Sequence, residues 1–251
     1  MGTKKETNQT MIRKLFITAT VVLSFSVSSC QSQNIFKDVL KQVTQPTSGN
    51  LDIAAGLKQA LNQGIDKSIA QVSVTDGFFK NQAIKVLLPA ELQKVESKMR
   101  AVGMGSLVDD GLKLLNRAAE DASSKAKPIF IGAVKQMTFQ DATTILMGEK
   151  NAATQYLKKT TSSPLYQAFS PVVKGSLDSV GATKLWNQII TKYNKLPFVT
   201  RVNPDLTDYV TNKAMDGVFL MVEKEELAIR KDPINRTTDL LKKVFARQDN
   251  M

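Results

Sequence analysis

The side chains that most often carry enzyme chemistry are scarce in this chain. Its 251 residues include no His and one Cys. Without imidazole there is no Ser-His-Asp triad, no Cys-His pair and no His-ligated metal. One thiol makes no internal disulfide, no Cys-Cys zinc site and no CxxC redox pair. Carboxylate, Lys and Tyr chemistry remains. The nearest thing to a carboxylate cluster is Asp205, Asp208 and Asp216, of which the last two fall two turns apart on one helix face. Such a set can bind a cation or act as acid and base. Asp205 and Asp208 are also well placed to stabilise a helix N-terminus, where negative charge is favoured. No EF-hand spacing accompanies them, and no catalytic, cofactor or metal residue is assigned.

Other motifs carry double readings. Asp76-Gly77 before Phe78-Phe79 suits a ligand-binding turn, but Asp-Gly is also plain turn chemistry and a Phe pair is usually core. Gly103 and Gly105 hint at a phosphate loop, yet lack a GK[ST] or a third glycine and read as helix ends. Trp186 and Tyr193-Asn194 surround a loop as pocket lining or as core. Lys231, Arg236, Lys242 and Lys243 make a basic C-terminal patch, although cations near a helix C-terminus need no partner. If a pocket exists, it is expected among polar residues in the non-helical crossings: Asp76, Asn81, Tyr193, Asn194, Asp205 and Arg236.

The single cysteine has the most telling position. Lys4, Lys5, Arg13 and Lys14 precede a 13-residue run, Leu15 to Val27, with nine apolar members. A spanning helix needs about 20 apolar residues, so the run is short for one. It ends in Val27-Ser28-Ser29-Cys30. This resembles the bacterial lipoprotein signal, in which the cysteine is acylated and becomes the mature N-terminus; Met1 and Met11 both remain open as the start. Residues 1–29 are expected to be removed, with Cys30 attaching the chain to a membrane. That segment carries four Lys/Arg and one Glu, so its loss takes the net charge from +11 to +8. No RNP-like or helix-turn-helix signature supports nucleic-acid binding, and a solvated Lys-rich surface accounts for the surplus.

Residues 30–50 read as a lipidated N-terminus and flexible tether, with Pro46 and Gly49 near its end. Helical periodicity follows. Leu57, Leu61, Ile65, Ile69 and Val72 form one stripe, with Asn50 placed to cap it. Residues 83–88 favour extended chain and are the one place where a short strand is allowed. Pro89 suits a first helical turn, and Gly103-Met104-Gly105 ends that helix. Leu112, Leu115, Ala118, Ala119 and Ala122 mark the next helix, and Pro128 opens another. Thr138 and Asp141 make a capping-box start, with Gly148 as the stop. Ser163-Pro164 is expected to cap a helix that Pro171 kinks, and Gly181 separates it from 182–193. Asp205 then caps the longest helix, 206 to about 231, with stripe Leu206, Val210, Ala214, Val218 and Met221. Asp232-Pro233 ends it, and 237–245 is a final amphipathic helix before a tail at 247–251. The fold class is all-α, a single domain of about eight to ten helices over 51–246.

Several blocks have a family likeness. They include Thr75-Asp76-Gly77-Phe78-Phe79-Lys80-Asn81, Ile84-Lys85-Val86-Leu87-Leu88-Pro89, Leu115-Asn116-Arg117-Ala118-Ala119-Glu120 and Lys127-Pro128-Ile129-Phe130. Lys192-Tyr193-Asn194-Lys195-Leu196-Pro197-Phe198, Asn203-Pro204-Asp205-Leu206 and Arg236-Thr237-Thr238-Asp239-Leu240-Leu241 continue the series. In this order they resemble the bacterial exported family known as domain of unknown function 4197, over about residues 51–246. The resemblance implies a mostly helical, envelope-associated single domain, and brings no catalytic residue or cofactor with it. The expected function is a lipid-anchored binding or interaction module facing the periplasm, with an envelope protein, lipid or polymer as partner. A carboxylate, Lys or Tyr hydrolase and a lipid carrier are the alternatives.

Overall fold

The hydrophobic stripes do form helices, and the computed structural model describes residues 48–232, 235–236 and 238–249. Among the described residues there are nine α-helices and no strand. In chain order they are α1 (Ser48–Val72), α2 (Gln93–Ala101), α3 (Gly105–Ser123), α4 (Ala126–Gln136), α5 (Phe139–Met147) and α6 (Ala152–Asp178). Then come α7 (Ala182–Tyr193), α8 (Leu206–Lys231) and α9 (Asp239–Asp249), and a 3-10 turn at Ala90–Leu92 precedes α2. The segment read as a signal, Cys30 and the stretch read as a tether, up to residue 47, lie outside the described residues, as does Thr237. α1 starts at Ser48, so Asn50 sits inside its first turn and does not cap it. α9 runs on to Asp249, through most of the stretch read as a tail.

The described helices belong to one compact unit from Pro46 onward. α8 and α6 pack on each other, and α3 lies against both; α1 packs on α8, α4, α5 and α9. Each stripe predicts its buried face. Leu206, Val210, Ala214, Val218 and Met221 of α8 are buried, as are Leu112, Leu115, Ala118, Ala119 and Ala122 of α3. No described helix is long and apolar enough to cross a membrane.

Local stops follow their chemistry. Thr138 and Asp141 form a reciprocal capping box at the start of α5, and Gly148 ends it. Gly103 adopts φ +83 and Gly181 φ +69, left-handed values that favour glycine, beyond α2 and before α7. Gly105 has the opposite role to the one expected, since it is the first residue of α3. Pro128 is the third residue of α4, within its first turn.

One expectation fails for an instructive reason. Ser163-Pro164 starts no helix. α6 runs unbroken for 27 residues with Pro164 and Pro171 inside it, and it, not the 26-residue α8, is the longest. A proline removes one N–H and costs about 3 kcal/mol in a helix interior. Both prolines are exposed, seven residues apart on the solvent side, where water can hydrate the orphaned carbonyls. On the other side Leu157, Leu165, Phe169, Val173 and Leu177 are wholly buried, each worth about 1.5–3 kcal/mol. Burial outweighs the two prolines.

Residues 83–88, where at most a short strand was allowed, form none. Val86 is buried, and its backbone pairs with a side chain in place of a neighbouring strand. Its N–H donates to Asn116 Oδ1 at 2.8 Å, and its carbonyl accepts from Asn116 Nδ2 at 2.8 Å. Asn116, wholly buried on α3, also donates to Leu112 O. One amide thus supplies the two bonds a β-partner would make. Just before this segment Phe78 is buried against Gly217 of α8, where a Cβ would lie 2.4 Å from the ring. Gly217→Ala is therefore expected to destabilise the domain by about 1–3 kcal/mol through overpacking, read from the urea midpoint at unchanged m-value.

Candidate functional site

α8 spans 26 residues, about 39 Å at 1.5 Å per residue, and its two ends separate the predicted site residues. Asp205 lies at its N-terminus and Arg236 beyond its C-terminus. Asp76 and Asn81 share the loop after α1, and Tyr193 and Asn194 end α7. The six therefore occupy four places along the fold and form no single cluster.

At each place the polar groups are engaged with the fold itself. Asp76, at φ +66, pairs with Lys80 at 2.9 Å, and that hydrogen bond holds its carboxyl below the ordinary 3.8. Asn81 Oδ1 accepts from Ala83 N–H, and its Nδ2 points at Met221 Sδ. Asn194 repeats the device of Asn116. Its Nδ2 donates to Val202 O at 2.7 Å and its Oδ1 accepts from Val202 N–H at 2.9 Å, which closes the 195–201 loop. Tyr193 packs with Trp186 on a small cluster of Leu92, Ile190 and Val202. Asp205 caps α8 by accepting from Asp208 N–H. Arg236 is buried, donates from Nε to Ile229 O and from Nη2 to Arg230 O, and lies over the Phe245 ring.

The carboxylate trio is not an acid-base pair. Asp208 accepts from the Tyr166 hydroxyl at 2.8 Å and from Asn203 and Asn212, and Asp216 is exposed on its own. The bond to Asp208 raises Tyr166 above the usual phenol range. Among the described residues no three His, Cys, Asp or Glu side chains could hold a metal ion together. Of the basic patch, Lys242 faces Asp239, Lys231 is exposed and Arg236 is buried as a cap.

The charged centre that sequence reasoning missed is inside. Glu226 and Arg230 of α8 are each only 5% exposed and meet at 2.9 Å. Glu226 accepts the N–H groups of Ala153 and Thr154, at the start of α6, and the Thr154 hydroxyl. Arg230 donates to Ile145 O at 2.8 Å and Leu146 O at 3.3 Å, at the end of α5. Each charge thus meets the helix end whose dipole it complements. Beside the pair lies a hollow of about 20 Å³ lined by Leu61, Gly64, Ile65 and Phe245, room for about one water. An acyl chain needs far more. The readable signal was Glu226 and Arg230 at i,i+4 near an apolar stripe, a pattern that exposed helix faces share.

Glu120 of α3 plays the same part for the Asp76 loop. Its carboxylate, 3% exposed, accepts from Asp76, Phe78 and Phe79 N–H and pairs with Arg117 at 3.0 Å. Gly77 must lack a side chain there, because a Cβ would lie 2.5 Å from Gln71 O. The motifs quoted from both α3 and the loop are two halves of one interaction.

A family model described as "Protein of unknown function (DUF4197)" matches residues 47–246. The chain belongs to the DUF4197 family. No curated protein and no solved structure matches it. The family blocks read from the sequence are, in this DUF4197 domain, mostly the loops and the side chains that hold them.

Two measurements test these assignments. Glu226→Leu or Arg230→Met alone strands a buried charge, and each is expected to cost about 3–5 kcal/mol. The double variant is expected to cost clearly less than the sum in a denaturation cycle. Burial also pushes the Tyr209 phenol, which donates to Leu87 O, up to about 12. Protonated Tyr209 therefore favours the fold fully below pH 10, and that contribution is lost as pH rises through about 12. Wild type should show a late phenolate step in ultraviolet titration, and Tyr209→Phe should remove it.

Proposed function

We propose that this DUF4197 protein is an exported, lipid-anchored module of the bacterial cell envelope that works by binding. Acylation at Cys30 would hold the domain at the membrane surface, facing the periplasm. Two or more acyl chains anchor a protein stably where one does so only marginally. The observation that carries the binding reading is the occupation of the polar groups. Asp76, Asn81, Asn194, Asp205, Asp208 and Arg236, and the buried Glu120, Glu226 and Arg230, are all bonded to the domain's own backbone or side chains. Apolar side chains such as Leu185, Ile189, Leu196 and Phe198 are left in solvent instead. A surface of that kind serves contact better than turnover.

The hydrolase alternative asks for a carboxyl group with a raised pKa beside an ionised one. Asp76, Asp109, Asp141 and Asp178 are all held low instead, by Lys80, Arg100, Thr138 and Lys174 respectively. The carrier alternative asks for an apolar cavity of lipid size, against the single-water hollow beside Glu226.

Palmitate labelling of cells tests the anchor. Label is expected on the wild-type chain and absent from Cys30→Ala, with globomycin causing the unprocessed form to accumulate. Equal label on both chains would remove Cys30 as the attachment point.

A further inference from the structure

From Ser179 to Pro204 the chain carries four cations, Lys184, Lys192, Lys195 and Arg201, and not one Asp or Glu. All four side chains are exposed, and none forms an ion pair among the described residues. The same stretch holds a large share of the exposed large apolar side chains among the described residues. Leu185 and Ile189, four apart on α7, are more than half exposed, and Leu196 and Phe198 follow in the turn beyond it. The opposite side of α7 is occupied: Ile190 is buried and Trp186 stacks on Tyr209 of α8, donating from Nε1 to Asn203 O. α7 is thus fixed to the domain by one side and presents apolar and cationic side chains on the other.

Phe198 is the most telling residue. It is fully exposed, and its φ of +60 lies in the left-handed region that bulky side chains rarely enter. The fold gains no burial from this ring and holds it in a strained conformation. A backbone outlier combined with an uncovered aromatic points to a use outside the folded chain. The loop that carries Phe198 is not loose. Asn194 bonds both backbone groups of Val202, so the tip of 195–201 is held from its base.

We propose that this face of α7, with the Leu196-Pro197-Phe198 tip, docks on an anionic phospholipid surface. Phe198 and Leu196 enter the headgroup–acyl boundary, Leu185 and Ile189 lie along it, and the four cations meet lipid phosphates. Apolar residues flanked by unpaired Lys/Arg are the chemistry of interfacial membrane binding, and each cation near such a surface adds to the attraction. The contrast within the molecule favours lipid over a protein partner here. Another exposed apolar corner, Val102, Met104 and Leu107, sits beside Asp109 and Asp110, and its Arg100 is tied to Glu96 and Asp109. The carboxylates after the α7 segment, Asp205 and Asp208, are committed to the α8 cap and to Tyr166, Asn203 and Asn212. The proposal rests on the envelope reading only for bringing the domain to a bilayer; acyl labelling at Cys30 reports on that separately.

The test uses the full chain in vesicles containing brominated lipid, either phosphatidylcholine alone or with about a third phosphatidylglycerol. Trp186 is the one natural tryptophan, so wild type sets the background and Phe198→Trp adds a reporter at the tip. Strong quenching of the added indole in anionic vesicles, lost in phosphatidylcholine or at high salt, is expected. Lys192→Glu with Lys195→Glu should weaken vesicle partition about tenfold or more. Phe198→Asn should also weaken it, while its thermal midpoint rises by about 1–3 °C because Asn tolerates the left-handed region. An unquenched indole, or equal quenching in both vesicle types, would overturn the proposal. So would protection of the tip by a co-purifying envelope protein. A midpoint that falls in Phe198→Asn would show that the ring serves the fold.

Discussion

Glu226 and Arg230 meet inside the domain with almost no access to water, and the packing of three helices, α5, α6 and α8, turns on that meeting. An ion pair taken out of water loses several kcal/mol of hydration per charge and recovers it only through good geometry and further hydrogen bonds. Those bonds come from the start of α6 and the end of α5. A helix end is itself expensive to bury, because its last N–H or C=O groups have no partner in the helix. The pair and the two helix ends therefore solve one another's problem. The α5–α6 corner sits against α8 with its end groups satisfied by the two charges, and the charges are buried with the corner's N–H and C=O groups as partners.

The same constraint recurs wherever a loop is drawn into the interior. Glu120 collects three N–H groups of the loop after α1. Asn116 and Asn194 each take both backbone groups of one valine, as a β-strand neighbour would. Arg236 covers the last carbonyls of α8. An all-helical domain with buried connections needs such side chains, since there is no sheet to satisfy the connecting backbone. The consequence for function is direct. Polar residues that look available in the sequence are already committed, and the α7 face is surface that the fold leaves uncovered.

Much of the architecture was legible because a helix stripe is a local signal. The buried faces of α1, α3 and α8 follow the spacing of Leu, Ile, Val and Ala, and the Thr138–Asp141 box marks the start of α5. Pro164 misled for a physical reason. Proline is read as a break from its local penalty, whereas α6 survives through the burial of its other side against α3 and α8. The non-helical run at 83–88 was seen, but the partner of Val86, a single amide 30 residues later, leaves no local trace. The candidate site was the least legible part. Asp76, Asn194 and Arg236 were rightly noticed as polar groups at crossings, and the long span of α8 keeps them apart.

The sequence by itself determined the helical class, most helix limits, the exclusion of imidazole and dithiol chemistry, and the expectation of a lipid anchor at Cys30. These depend on residue type and on neighbours within about two turns, where hydrophobic periodicity and capping act. Tertiary structure alone decided which polar residues face inward, that α6 runs through its prolines, and that Phe198 stands in solvent beside unpaired cations. Those outcomes turn on burial. Burial is set by contacts between residues distant in sequence, where the gain from packing is weighed against every unsatisfied charge, amide and carbonyl.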